Sequence, residues 1–348
     1  MRKFMAWNMT CLISLIAASW CGAAELIMNE ADWIRVATNK NASTATLSLG
    51  ADITLTCLYS FLNDFAGTIN GNGHKITLAG EFLDKSLADA HTQALIEAGE
   101  GFHWGYANHL LGEMCRAMLV DVVFFNARVS GSLTGCTFKN CKFLYDGQGC
   151  CLDVAIDCTF EGCFANVNID TDESRIGGLV GWARNCSFVS CSSAGNIKGF
   201  SDVGGFVGES EGSNYYQCQS TVEVSGRQNV GGFVGLSCDE YGVYSKCRAD
   251  GCVSGGSCVG GFAGYANVGN FCQCVSSGDV KFDPAYGTSG NFGGFIGHNG
   301  SDASCSCCES TSSVSASGQQ NAGGFAGSIS GGNISKCQSS GVVLGGNA

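Results

Sequence analysis

Apolar positions along this chain recur in short bursts of period two. Thr46-Leu47-Ser48-Leu49 and Ile53-Thr54-Leu55 alternate as half-buried strands do, and Gly67 through Leu78 reads as strand, Asn-Gly turn, strand. Only residues 83–98 carry a convincing helical pattern, which predicts one short helix decorating or capping a body of strands.

Farther along, the pattern repeats. An apolar residue, Gly-Gly, an apolar pair and Gly recur six times, opening at Gly177-Gly178, Gly204-Gly205, Gly231-Gly232, Gly260-Gly261, Gly293-Gly294 and Gly323-Gly324, with intervals of 27, 27, 29, 33 and 30 residues. A second mark keeps step: Cys191, Cys218, Cys247, Cys274, Cys308 and Cys337 follow the opening glycines by 14 to 16 residues. Each begins a small polar run that ends in an apolar residue, as in Cys218-Gln219-Ser220-Thr221-Val222. Upstream, Cys136 to Cys141, Cys158 to Cys163 and Cys186 to Cys191 share a Cys-(Ser/Thr)-Phe-x-x-Cys pattern.

A unit of about 30 residues without helical periodicity cannot bury its own apolar face, but stacked units build one continuous core. The fold predicted is all-β: a single-stranded parallel β-helix, right-handed, with the short helix near 83–98. The chain divides into a signal peptide (1–24), an N-terminal cap with lead-in coils (25–165) and the repeat coils (166–348). Stacking brings Leu179, Phe206, Phe233, Phe262, Phe295 and Phe325 into one column, and Ile176, Val203, Val230, Val259, Phe292 and Ala322 into another. Strict alternation puts Val203 and Val207 on one face and Phe206 on the other. A bulge or corner after Gly205 would turn Phe206 inward. That arrangement is expected, because an outward ladder of Phe would be an apolar patch needing a partner. The Gly-Gly pair provides either for close backbone approach or for a bend with positive φ.

Composition then narrows the class. Glycine supplies 52 of 348 residues and proline one, so neither collagen nor a Pro-rich disordered chain fits. The net charge of −12, with no cluster of Lys and Arg beyond Arg2-Lys3, disfavours nucleic acid and anionic membrane surfaces as partners. Arg2-Lys3, the apolar run around Cys11 to Ala18 and Gly22-Ala23-Ala24 have the form of a secretory signal, and no later apolar stretch is long enough to span a membrane. Of 23 cysteines, two fall in that signal. The other 21 admit two readings, small buried residues in a stacked column or disulfides between coils, and the coil spacing of about 4.8 Å permits the second.

The Gly-Gly-(Leu/Phe)-(Val/Ala/Ile)-Gly units, over about residues 176–345, resemble GLUG-motif repeats of bacterial surface proteins, including adhesin-like proteins and the non-catalytic region of IgA-peptidase-type proteins. The Asn70-Gly71-Asn72-Gly73-His74 stretch is similar to the opening coil of many extracellular right-handed β-helices. The resemblance implies a secreted or surface-displayed solenoid; cysteine at this density departs from it.

Catalytic chemistry finds little support. No His begins a His-Glu-x-x-His zinc site. Carboxylates near a base occur as Asp170, Asp172 and Glu173 with Arg175, and as Asp239-Glu240 with Lys246 or Arg248, both in turn-like segments where solvated charge is the ordinary reading. Cys305-Ser306-Cys307-Cys308, Cys272-Gln273-Cys274 and His103 with His109 and Cys115 lack paired zinc-ligand spacing. Asn41, Asn185, Asn299 and Asn333 begin Asn-x-Ser triplets and read as turn residues. The glycine motifs lack the Lys-(Ser/Thr) of a phosphate loop, so no catalytic, metal or cofactor residue is assigned. The expected role is adhesin-like binding or display at the cell surface, with a host or neighbouring-cell glycan or protein as partner. The alternatives are self-association through the edge of the C-terminal coil and a carbohydrate-active enzyme.

Overall fold

The computed structural model describes residues 24–37, 44–56, 65–78, 110–238, 242–287, 290–319 and 321–346. The signal segment before residue 24 and the helix predicted over 83–98 lie outside them. The fold is a parallel β-helix. One coil shows the plan: strands Ile176–Gly177, Val180–Arg184, Ser187–Val189 and Ser192–Lys198 follow one another round the core. Each pairs in parallel with its equivalent in the next coil, through Ile176–Val203, Val180–Val207, Ser187–Asn214 and Ser192–Gln219. Strands of the second and third kind form one long sheet and those of the fourth and first kind another. Thr68–Asn70 and Lys75–Leu78 flank the Asn-Gly turn, but they belong to different sheets, so the turn is a coil corner.

Left-handed residues make the corners. Asn140, Gly162, Ser190, Gln217, Lys246, Gln273, Cys307 and Lys336 occupy equivalent positions at φ between 52° and 63°. Arg175, Asp202, Asn229 and Cys258 do the same where the apolar-Gly-Gly strand begins, at φ between 50° and 62°. The Gly-Gly pairs themselves have no positive φ. What they need is space: a Cβ on Gly205 would lie 2.2 Å from the Gly232 carbonyl oxygen and 2.3 Å from Ser220 Oγ. The coil is pinched there, with the small run after each cysteine facing the glycines. Ser193 and Ser276 donate across the gap to the carbonyls of Gly205 and Gly294, each at 2.7 Å.

Phe206 and Val207 both point inward and both are fully buried. Their two consecutive amides donate to one carbonyl, Phe233 O, at 2.9 and 3.0 Å; Phe233 and Val234 share Phe262 O in the same way, and Phe262 and Ala263 share Phe295 O. The chain turns here from one sheet to the other, and this corner cancels the alternation. The rings of Phe206, Phe233, Phe262, Phe295 and Phe325 stack at 4.7–4.9 Å, the spacing of paired strands. A second column, Phe138, Phe160, Phe188, Tyr215, Tyr244 and Phe271, stacks at 4.5–4.9 Å and meets the first edge to face, as in Phe206–Tyr215 at 85°. Each aromatic pair adds about 0.5–1.5 kcal/mol to the stabilisation from burial alone.

The sequence pattern did not mark the one described helix, Glu30–Ala37. Asn29 caps it by accepting from the Asp32 amide at 3.0 Å, while Asp32 accepts from the Met28 amide. Trp33, Val36 and Ala37 bury against the first coil.

Candidate functional site

Beyond the cysteine corners the chain runs along one sheet through Phe164–Asp170, Ser192–Lys198, Glu223–Gly231 and Val253–Gly260. Their β-branched residues Ile169, Ile197, Val224 and Val253 stack inward and are buried. Alternation then turns the neighbours on either side to solvent. Asn168, Asn196, Glu223 and Cys252 form one outer column, and Asp170, Lys198, Ser225, Ser254 and Lys281 the other. Between them runs an open groove of about 400 Å³.

Groups of both signs line it. Lys198 Nζ donates to Asp170 Oδ1 at 2.9 Å, which raises the lysine pKa, and Lys281 lies 3.9 Å from Asp279. Asn168 donates to Asp146 at 3.1 Å. Charges, amides and hydroxyls thus recur once per coil along the solenoid axis, a surface suited to hydrogen-bonding an extended partner rather than to holding one small molecule.

Asp170, Asp172 and Glu173 do not assemble around Arg175. Asp170 belongs to the groove, whereas Arg175, at a left-handed corner, turns to the other sheet. There its Nε meets Glu209 Oε2 at 2.6 Å and its guanidinium lies over the Trp182 ring at 5.5 Å. Asp172 and Glu173 stay in the exposed loop between. Asp239 and Glu240 lie outside the described residues, while Arg248 pairs with Asp250 at 2.9 Å and Lys246 lies over Tyr216. His103 and His109 are also outside them. Among the described residues no three His, Cys, Asp or Glu are grouped to hold a metal ion. The two cysteine groupings are split by burial: Cys305, Cys308 and Cys274 are buried, Cys307 is exposed and Cys272 is half-buried. Of the Asn-x-Ser triplets, Asn185 is a corner residue, but Asn299 is buried and Asn333 begins a strand, which corrects the turn reading for those two; Asn41 is outside the described residues.

Cys191, Cys218, Cys247, Cys274, Cys308 and Cys337 occupy equivalent corners in successive coils, continued upstream by Cys163 and Cys141. None of the eight forms a disulfide. Each thiol reaches the carbonyl two residues before it at 3.3–3.6 Å. The sulfur also accepts from a neighbouring corner amide, as Cys191 does from Cys163 N–H and Cys337 from Cys308 N–H, each at 3.4 Å. The same arrangement holds for the shorter column Cys136, Cys158 and Cys186, where Ser213 takes the next place and accepts from Cys186 N–H at 3.0 Å. Cysteine therefore acts here as a small inward residue that satisfies the backbone where the ladder is interrupted. Burial pushes the Cys218, Cys247 and Cys274 thiols up, which keeps them protonated and unreactive.

The class these features define is a cysteine-rich parallel β-helix with a polar lateral groove. No protein-family model and no curated protein matches the chain. Among solved structures it is similar to L. reuteri 53608 SRRP, with 10% identity over 92% of this chain and 98% of that one and a TM-score of 0.26. No described helix is long and apolar enough to cross a membrane.

Proposed function

We propose that this protein is an exported β-helix displayed at or released from the cell surface, with an adhesin-like role: the solenoid serves as a rigid rod, and the groove between the Asn168 and Asp170 columns engages a glycan or protein of a host or neighbouring cell. The observation that carries this reading is the groove itself, with polar and charged side chains repeated in register across successive coils and accessible along their length. The N-terminal signal pattern and the resemblance to GLUG-type repeats support export and display. Cys218, Cys247 and Cys274, buried and protonated, are compatible with an oxidising compartment, because exchange requires a thiolate that burial suppresses.

The test is binding of the full chain to glycan and protein arrays, beside a Lys198→Glu, Lys281→Glu variant. Both lysines are more than half exposed, so the variant retains the fold. A partner captured by the parent and lost or weakened about tenfold by the variant supports the proposal. A blank on both arrays, or cleavage of a bound polysaccharide, refutes it.

A further inference from the structure

On the other sheet, one outward column breaks the rule that a solvated sheet face is polar. Trp182, Glu209, Leu236, Tyr265 and His298 stack in register across five coils. They alternate with inward Ala183, Ser210, Ser237, Ala266 and Asn299, so they point away from the core. Yet Trp182, Leu236, Tyr265 and His298 are only half-exposed, and Glu209 is 8% exposed. The stripe is one side chain wide. Arg175, Asp202 and Asn229 border it at the left-handed corner, and Arg184 and Glu211, joined at 3.1 Å, border it two residues farther along the strands.

Its parts are held in place. Arg175 fixes the Glu209 carboxylate and covers part of the Trp182 ring, and Cys238 Sγ lies 3.5 Å from Glu209 Oε1. Tyr265 and His298 pack edge to face at 4.9 Å. Asn291 Nδ2 lies 3.4 Å from His298 Nδ1, and Ser330 Oγ lies 3.2 Å from Nε2; burial lowers the pKa of this imidazole, which favours its neutral form. One group stays unsatisfied: the Trp182 indole N–H is shielded from water and has no hydrogen-bond partner.

We propose that this stripe is a second binding site, distinct from the groove, and that it takes the pyranose rings of a neutral linear oligosaccharide lying along the solenoid axis. Sugar rings present C–H faces to aromatic side chains and hydroxyls at their edges. Trp182, Tyr265 and His298 offer ring surface, while Arg184 and Ser330 at its edges offer hydrogen-bonding groups. The single-residue width suits a polymer strand; a globular partner needs a patch of roughly 800 Å². The paired charge on Glu209 leaves no spare cation for an anionic sugar.

The test is a titration of the full chain, followed by tryptophan fluorescence and calorimetry, with cello-, malto-, manno- and chito-oligosaccharides of two to six units. One series is expected to bind, with affinity rising with length and with a change in the fluorescence of Trp182. Trp182→Ala and Tyr265→Ala should each weaken binding about tenfold or more, Trp182→Phe less, and Lys198→Glu, Lys281→Glu not at all. Circular dichroism checks that the outward substitutions retain the fold. No binding by any series, or binding that Trp182→Ala and Tyr265→Ala leave unchanged, overturns the proposal. Loss only in the lysine variant assigns the sugar to the groove and overturns this site alone.

Discussion

The Tyr215–Ser210 pair makes a sharp test of how the core is specified. In the second aromatic column Phe188, Tyr215, Tyr244 and Phe271 lie in successive coils, while the inward column beside it reads Ala183, Ser210, Ser237 and Ala266. Wherever the ring carries a hydroxyl, the neighbour carries one too. Tyr215 Oη donates to Ser210 Oγ at 2.9 Å and Tyr244 Oη to Ser237 Oγ at 3.1 Å. Tyr215 is 1% exposed, so no water can replace a lost partner. The nearby Ser213 hydroxyl accepts from the Cys186 amide, donates to the Glu211 carbonyl and is a second neighbour of the phenol. Ser210→Ala therefore leaves a buried phenol with only that already engaged oxygen, at a cost of about 1–3 kcal/mol, whereas Tyr215→Phe alone forgoes about 0.5–1.5 kcal/mol. The double variant reproduces the Phe188/Ala183 coil and should lie within about 1 kcal/mol of the parent. The coupling expected from equilibrium urea denaturation, read at unchanged m, is about 1–2 kcal/mol. Additivity within about 0.3–0.5 kcal/mol would refute the reasoning.

Two further outcomes follow from the same packing. Gly205→Ala drives a Cβ into the Gly232 carbonyl and should cost about 3 kcal/mol or more, whereas Gly318→Ala, with nothing within 4 Å and φ +78°, should cost only the left-handed strain of about 1–2 kcal/mol; denaturation midpoints that rank the two the other way would sink the close-approach account. Cys218→Ser should stay within about 1 kcal/mol of the parent, as Ser213 in the neighbouring column suggests, and Cys218→Leu should lose about 1–3 kcal/mol. Thiol titration should label exposed Cys252 and Cys307 in the native protein and the buried column cysteines, Cys141 through Cys308, only after unfolding.

Much of this architecture was legible in the chain because a solenoid asks the same question of the sequence once per coil. The glycine and cysteine marks recur since each occupies a tight site whose neighbours above and below are its own copies. The Phe206 column could be listed from spacing alone. The second aromatic column could not: its cysteine flags disappear after Cys186, replaced by Ser213, Gly242 and Gly269 at the equivalent corner, and its Tyr members are marked only by Ser210 and Ser237 in a different strand. Helix Glu30–Ala37 is short, and its capping pattern of Asn29 and Asp32 was the one local signal.

The sequence by itself determined the repeat, the parallel stacking of its copies and which residues share a column, because those follow from register along one axis. Only the tertiary structure decided which way each column faces and what lies across from it. Two amides sharing a single carbonyl turned Phe206 inward against the alternation rule. Left-handed corners sent Arg175 to Glu209 and Trp182 on one sheet while Asp170 joined Lys198 on the other, although the two lie five residues apart in the chain. Corner geometry is set by φ, and residues as unlike as Arg175, Asp202, Asn229 and Cys258 adopt the same one. That is why both proposed binding faces emerged from the fold and neither from a motif.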